Sequence, residues 1–269
     1  MKIIVLVKQV PDSEANIRIN ADNNDIETAG IKFVMNPYDE YAMEEALRIK
    51  EKNPDTEITA LTLGGPGAQD VLRNCLALGA AKVVHIKLNT EKPDSNAAAH
   101  ILSRAIERLG AGLILAGKQA IDDGAFTTPG AISTMLNMPF VASAIKIELN
   151  PEAEKAVVYR EIEGSTEVIE CALPAVISAE KGLNQPRYAS LMGIMQAKKK
   201  PIEELTLAEL NIDFANVGTE QCSVPTNLNK TSILKLAYPP QRKQGEILEG
   251  EISEVVCKLV EKLKEAKVL

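Results

Sequence analysis

The feature that most constrains the fold is an alternation between short apolar runs and amphipathic stretches through the first half of the chain. Each apolar run is typical of a strand covered on both faces, and each amphipathic stretch repeats its apolar residues at helical spacing. Strand and helix alternate about every 25 residues as far as Leu136, which is typical of βαβ crossovers. The sequence therefore predicts an α/β fold with a doubly wound, mostly parallel sheet.

Capping and stop signals place the helices of this half. Asn36 is a good N-cap, Pro37 suits the first helical position, and glycines follow the ends of the later helices. The predicted strands are Ile3 to Val7, Ile58 to Leu63, Lys82 to Lys87 and a run beginning at Leu113. The predicted helices are Pro37 to about Lys52, Asp70 to Leu78, a helix capped by Ser95 and stopped by Gly110, and Ile132 to Leu136.

The pattern changes after Leu136. Val141 to Leu149, Lys155 to Glu161 and Thr166 to Cys171 predict an antiparallel addition to the sheet, and Ala172 to Ser178 predicts one further strand. From Glu180 the chain is irregular until an amphipathic helix from Glu251 to about Lys267. Because this tail is too apolar for disorder, we expect two parts: an α/β domain over 1–180, and a segment over 181–269 that packs on another subunit.

Composition excludes several classes of partner. The 269-residue chain carries a net charge of −7. This charge argues against binding to nucleic acid or to an anionic membrane. We also expect no insertion into a membrane. Its four cysteines, Cys75, Cys171, Cys222 and Cys257, form no CxxC pair and predict free thiols in a reducing compartment. No signal segment precedes the first predicted strand. We therefore expect a cytoplasmic protein.

A candidate ligand site follows the run that begins at Leu113. Apolar residues give way there to small and polar ones, which lead into the helix at Ile132. In open α/β sheets, ligands lie beyond the carboxyl ends of the strands, where helix N-termini offer N–H groups to anions. We expect Gly124, Gly130, Thr127 and Thr128 to hold a phosphate, and Asn36 and Asp39 to meet a ribose or an adenine. The alternative is that these residues only cap helices and form turns.

The sequence offers no catalytic group. It contains no GxxxxGK[ST], no GxGxxG opening a helix and no GxSxG, and no nucleophile accompanies either histidine. Asp122 and Asp123 could in principle bind Mg²⁺, but adjacent carboxylates after a strand more often cap a helix or accept from nearby N–H groups. We therefore predict no catalytic residue and no metal.

A second candidate site is the segment from Ala179 to Tyr188. Leu183 stands between a flexible Lys-Gly pair and a stiff proline, a setting that suits an apolar side chain that fills a pocket on a partner. The alternative is a surface loop whose leucine folds back onto the core. Downstream, the run Lys198-Lys199-Lys200 is either solvated or steers an acidic partner.

Three blocks carry a family resemblance. They are Asn36 to Leu47, Gly117 to Asp123 and Leu183 to Ala189, and in this order they resemble the β subunits of electron transfer flavoproteins over nearly the whole chain. The resemblance implies an adenine nucleotide α-hydrolase-like fold and a pocket for AMP. The matching pocket positions are Leu6, Asn36, Pro37, Tyr38, Asp39, Leu63, Ala120, Ile121, Asp122, Asp123, Gly124, Ala125, Phe126, Thr127, Thr128, Gly130 and Ala131. Pro129 departs from the family pattern and has no N–H to donate.

The resemblance also implies partners. An α subunit would complete a heterodimer and hold the FAD that carries electrons, while flavin dehydrogenases such as acyl-CoA dehydrogenases would dock on a recognition loop. Electrons would leave for an electron transfer flavoprotein–quinone oxidoreductase or another acceptor. The predicted partner-binding residues are Leu183 as anchor, with Asn184, Gln185, Pro186, Arg187 and Tyr188.

Three alternatives stay open at this point. Val10 to Ser13 and Asn36 to Tyr41 are similar to electron-bifurcating β subunits, in which a second FAD replaces AMP, whereas Pro186 to Leu191 and Pro201 to Leu205 are closer to the non-bifurcating kind. A stand-alone adenine-nucleotide binder of the universal-stress type would share the sheet and form a homodimer. A nucleotide-dependent ligase or hydrolase would turn over ATP with Mg²⁺.

Overall fold

A computed structural model describes residues 1–88, 93–212, 228–240 and 245–269. The strands are β1 (Lys2–Leu6), β2 (Gln9–Pro11), β3 (Phe33–Met35), β4 (Glu57–Gly64), β5 (Lys82–Lys87), β6 (Leu113–Gly117), β7 (Phe140–Asn150), β8 (Lys155–Ile162), β9 (Ser165–Ala172), β10 (Ala175–Ala179) and β11 (Glu203–Leu205). The helices are α1 (Pro37–Lys52), α2 (Gln69–Leu78), α3 (Ser95–Leu109), α4 (Thr128–Met135), α5 (Leu191–Ala197) and α6 (Ile252–Glu265).

A nine-stranded sheet forms the centre of the molecule. Its order is β11-β5-β4-β1-β6-β10-β7-β8-β9, while β2 and β3 pair separately as an antiparallel ribbon. The pairs from β11 to β7 are parallel, and β7-β8-β9 is antiparallel. This arrangement confirms the predicted α/β class, the doubly wound sheet and its antiparallel addition.

Side-chain alternation along the central strands builds a core on each face of the sheet. Ile3 and Val5 of β1 join one buried cluster with α1 and α2, while Ile4 and Leu6 join the other with α3. Both faces of a central parallel strand are thus covered, which explains why these strands are almost continuously apolar. The core is aliphatic, as the low aromatic content of the chain requires.

The chain reverses its direction of winding beside β1. From β1 it proceeds through α1 to β4 and through α2 to β5 on one side, and then α3 returns it past β1 to β6 on the other. A crevice forms beyond the carboxyl ends of strands at such a switch point, and it is the usual ligand position in open α/β sheets. The candidate nucleotide loop follows β6 and therefore lies at this crevice.

Several local features differ from the sequence prediction. Asp94, not Ser95, is the N-cap of α3, since its carboxylate accepts the N–H of Ala97 at 2.8 Å. Helix α4 begins at Thr128, because Pro129 fits the first turn of a helix. The strands β2, β3 and β11 have three residues each, too few to show a period.

The cysteines Cys75, Cys171 and Cys257 are free, as predicted, while Cys222 lies outside the described residues.

The last described segments are largely exposed. Residues 228–240 contact the rest of the chain mainly through hydrogen bonds, including those that the N–H groups of Lys230 and Thr231 donate to Asp94 at 2.6 and 2.8 Å. Helix α6 has no buried residue, and Ile252, Val256 and Leu259 are exposed along it. Of the helices that the structure describes, none is both long enough and apolar enough to cross a membrane.

Candidate functional site

Asn36 joins two of the loops at the crevice. Its Nδ2 donates to the carbonyl of Gln119 at 2.9 Å, and its Oδ1 accepts the N–H of Ile121 at 3.2 Å. The residue is buried at the start of α1, so both bonds are formed away from solvent. The loop after β6 is therefore fixed to the N-terminus of α1.

Asp39 makes a second connection one turn further along α1. Its Oδ2 accepts the N–H of Lys8 at 2.8 Å and its Oδ1 accepts the N–H of Gly117 at 2.9 Å. Burial of the carboxylate raises its pKa to about 7, although these N–H donors and the side chain of Asn36 oppose the rise. Asp39 thus ties the ends of β1 and β6 to the helix between them.

Gly117 is required by this close approach. A Cβ at this position would collide with the Asp39 carboxylate and lie 2.6 Å from the Cβ of Tyr38. A methyl group cannot be accommodated at that distance without moving the start of α1. The glycine at the end of β6 is therefore explained by packing against α1.

These contacts give Asn36 and Asp39 a structural role beside the ligand contacts predicted from the sequence. Their polar atoms are occupied by main-chain groups of the protein, whereas the prediction had them meeting a ribose or an adenine. They hold the crevice loops in place from beneath. The sequence predicted that these loops lie together but could not show which polar atoms the fold would use.

Lys8 lies across the loop after β6. Its ammonium group contacts Asp122 at 2.8 Å and Asp123 at 3.0 Å. Desolvation lowers the pKa of Lys8, but the hydrogen bonds and charges of the two aspartates outweigh it and raise the pKa overall. The position between the adjacent carboxylates, which the sequence left open to a cation, is taken by this ammonium.

The rest of the predicted nucleotide loop forms an exposed rim. Ile121, Gly124, Phe126 and Thr127 are exposed, and Gly124 and Phe126 have positive φ angles of 59° and 56°. Thr127 is the N-cap residue of α4, so its hydroxyl lies at the positive end of that helix. Of the remaining predicted positions, Leu6 is in the core, and the others are partly buried; they are Pro37, Tyr38, Leu63, Ala120, Ala125, Thr128, Gly130 and Ala131.

The second candidate site packs along α1. Asn184 Nδ2 donates to the carbonyl of Tyr41 at 2.9 Å and to Glu45 at 3.0 Å. The Arg187 guanidinium makes two bonds of 2.8 Å to Glu44 and one of 2.6 Å to Glu51. Hydrogen bonds to Glu44 and Glu51 raise the pKa of Arg187. The segment is therefore fixed to the same helix whose N-terminus holds the crevice loops.

The structure does not expose the predicted anchor of this segment. Leu183 is 7% exposed and belongs to the core cluster on the α1 side of the sheet, as in the alternative in which it folds back. Exposed apolar side chains lie instead on α5, where Leu191 is 83%, Met192 70% and Met195 67% exposed. Sequence reasoning missed this helix, although the spacing of these residues within Leu191–Ala197 was the signal available.

Comparison with known proteins agrees with the geometry. The electron transfer flavoprotein domain family matches residues 24–210. The chain is similar to the mitochondrial electron transfer flavoprotein subunit beta of Oryza sativa subsp. japonica (40% identical, covering 100% of both chains). It is also similar to the subunit beta of Bacillus subtilis (38%, 100% of both chains) and to a probable subunit beta of Saccharomyces cerevisiae (40%, 100% of this chain and 98% of the relative). The chain belongs to the family of electron transfer flavoprotein β subunits.

Proposed function

We propose that this chain is the β subunit of a heterodimeric electron transfer flavoprotein. It receives electrons from a flavin dehydrogenase into the FAD of an α subunit, which passes them to a quinone oxidoreductase or another acceptor. The β subunit acts in the cytoplasm as a carrier component and contributes no catalytic residue. The observation that carries this proposal is the fixed loop cluster at the switch point, in a chain similar to β subunits over its full length.

We further propose that the crevice holds AMP as a structural ligand. The residues present fit an adenylate: the hydroxyls of Thr127 and Thr128 and the N–H group of Gly130 lie in the first turn of α4 and suit a phosphate. The exposed side chain of Ile121 suits a purine face. Pro129 is buried and supplies no N–H, so the phosphate contacts come from its neighbours. AMP when bound supplies no redox chemistry.

The second candidate ligand is an additional FAD, as in bifurcating β subunits. The similarity of Val10 to Ser13 and of Asn36 to Tyr41 to those proteins supports it. Denaturing the purified heterodimer and identifying the released nucleotides distinguishes the two. One FAD and one AMP per heterodimer is the expected result. Two flavins per heterodimer and no AMP would mean that FAD, not AMP, is the ligand of the crevice.

Of the segment over 181–269, the first part joins the core through Leu183 and β11, and the C-terminal part is proposed to pack on the α subunit. Its support is the exposure of α6, which presents apolar residues and buries none of them within the chain. Co-expression with the α subunit followed by a native mass measurement tests this. We expect one copy of each subunit, whereas a homodimer of this chain alone would favour the stand-alone nucleotide binder of the universal-stress type.

The dehydrogenase is proposed to dock at residues 183–195. Tyr188, Leu191, Met192 and Met195 are its most exposed large apolar side chains, and methionine-rich surfaces adapt to more than one partner. Leu183 then supports the segment from within the core rather than filling a pocket on the partner. Replacing Leu191 by serine in the heterodimer should raise the KM for electron transfer from a reduced acyl-CoA dehydrogenase. The apolar contact between Leu191 and the dehydrogenase is lost, while the FAD site of the α subunit is unchanged.

A further inference from the structure

Helix α5 is packed with its smallest residues inward. Gly193 lies against the main chain of Ala77 on α2, where an added Cβ would approach the Ala77 carbonyl carbon to 3.3 Å. Ala197 is the buried residue of the helix, and Leu191, Met192 and Met195 are exposed. Because hydrophobic stabilisation scales with buried apolar area, these two small residues hold the helix only weakly, and polar contacts must set its position.

Arg73 of α2 provides the strongest of these polar contacts. Its Nη1 donates to the carbonyl of Ala197 at 2.7 Å and to that of Lys200 at 2.5 Å. Ala197 is the last residue of α5 and Lys200 lies three residues beyond it, so the guanidinium lies at the end of the helix where the dipole favours a cation. At the other end, Ser190 Oγ accepts the N–H of Gly193 at 3.0 Å. The helix is thus fastened at both ends.

We propose that Arg73 is a positioning residue for electron transfer between the dehydrogenase and this protein. It holds α5 so that Leu191, Met192 and Met195 face the partner. A helix of seven residues does not persist in water without such support, so an unsupported α5 would have to be ordered at each encounter, which weakens docking. This inference rests on the proposed docking role of α5.

The test uses the full heterodimer and two readouts. Hydrogen exchange followed by mass spectrometry reports the order of residues 191–200, and steady-state reduction by an acyl-CoA dehydrogenase, itself reduced by its acyl-CoA, reports docking. In Arg73→Gln we expect exchange in 191–200 to become at least about tenfold faster and the KM for the heterodimer to rise about tenfold, with kcat unchanged. Arg73→Lys keeps a cationic donor and should recover part of both effects.

Arg104→Gln is the matched control. Arg104 lies on α3 at the opposite face of the sheet, pairs with Glu107 at 3.0 Å and is exposed, so its loss should change neither readout. Leu191→Ser, with its side chain outside the core, tests the docking surface itself.

The outcomes separate the two proposals. If Leu191→Ser raises the KM but Arg73→Gln changes neither exchange nor KM, α5 docks the partner and the role of Arg73 is refuted. Faster exchange in Arg73→Gln with an unchanged KM also refutes it, since Arg73 would then be structural only. If neither variant changes the KM, docking at α5 fails, and the inference fails with it. Should Arg73→Gln not fold, Arg73→Lys is compared with the wild type by the same exchange and KM measurements.

Discussion

At the scale of single residues, the crevice depends on buried polar side chains that serve the protein's own backbone. The bonds of Asn36 and Asp39 go to main-chain groups that follow β1 and that end or follow β6. An unsatisfied buried polar group costs about 1–3 kcal/mol, so the loss of any of these bonds would lower the free energy of unfolding. These two residues therefore fix the shape of the candidate site.

The first prediction concerns Asp39. Burial raises its folded-state pKa to about 7 from an ordinary value of 3.8, so between these pH values the folded protein retains a proton that the unfolded chain has released. The contribution of Asp39 to the free energy of unfolding is therefore full below about pH 4, falls by about 4 kcal/mol up to about pH 7, and is constant above. Asp39→Asn should remove this slope in urea denaturation measured across that range.

Asp12 provides the control for Asp39. The hydrogen bond from Lys32 lowers the pKa of the exposed Asp12 carboxylate, so its contribution to stability is lost as the pH falls. Asp12→Asn should therefore produce a small difference of the opposite sign. A difference between wild type and Asp39→Asn that does not change with pH would contradict the prediction.

The second prediction concerns Gly117. Gly117→Ala should destabilise the protein by about 3 kcal/mol and weaken nucleotide binding, because the new methyl group must displace Tyr38 and Asp39. Gly65→Ala is the control, since its added Cβ would meet nothing closer than the Leu88 carbonyl at 3.9 Å. Thermal denaturation and calorimetric titration with AMP measure both effects; equal behaviour of the two variants would be inconsistent with the packing described.

At the scale of elements, α1 is the helix that both candidate sites share. Its first turn holds the crevice loops, and its later residues Tyr41, Glu44, Glu45 and Glu51 hold residues 184–187. Buried Glu44 is the strongest of these contacts, as it accepts two bonds from the Arg187 side chain and one from its N–H. The order of residues 184–187 therefore depends on α1.

The third prediction tests this dependence. Arg187→Met leaves the carboxylate of Glu44 buried without its partner and should lower the stability of the heterodimer by about 2 kcal/mol. Adding Glu44→Gln to it should recover part of the loss, because the buried charge is then removed. A double-mutant cycle by chemical denaturation measures the coupling, and strictly additive losses would count against the contact.

The sequence predicted those elements that obey a regular period. The continuous apolar run at Ile3 to Val7 predicted a strand covered on both faces of a doubly wound sheet. The glycines after α2 and α3 predicted where those helices end. The sequence did not predict α5, because that short helix turns Leu191 and Met195 outward and buries the small residue Ala197, the reverse of an ordinary amphipathic pattern. The family resemblance implied that Leu183 is an exposed anchor, whereas the alternative from the residues had it fold back onto the core, and it lies in the core.

At the scale of the whole molecule, the α/β core and the C-terminal arm differ in how they bury apolar surface. The core has a cluster on each face of the sheet, whereas α6 contributes no buried residue. An amphipathic helix without a covering surface is expected to find one on another chain. The fourth prediction follows from this difference.

Leu259→Asp, in the middle of α6, should weaken association with the α subunit by at least about tenfold, since one charge would enter an apolar contact. It should leave the melting temperature of the isolated β subunit unchanged, because Leu259 is exposed there. Glu261→Gln, also on α6, is the control. A lowered melting temperature of the isolated chain would show that the helix packs on its own domain.

The outward-facing helix α5 also has an evolutionary consequence. Because Leu191, Met192 and Met195 contribute almost nothing to the interior, natural selection can exchange them without loss of foldability. Substitutions at these three positions could thus fit the same scaffold to a different electron donor, while the packing of Gly193, Ala197 and Arg73 beneath them is unaltered.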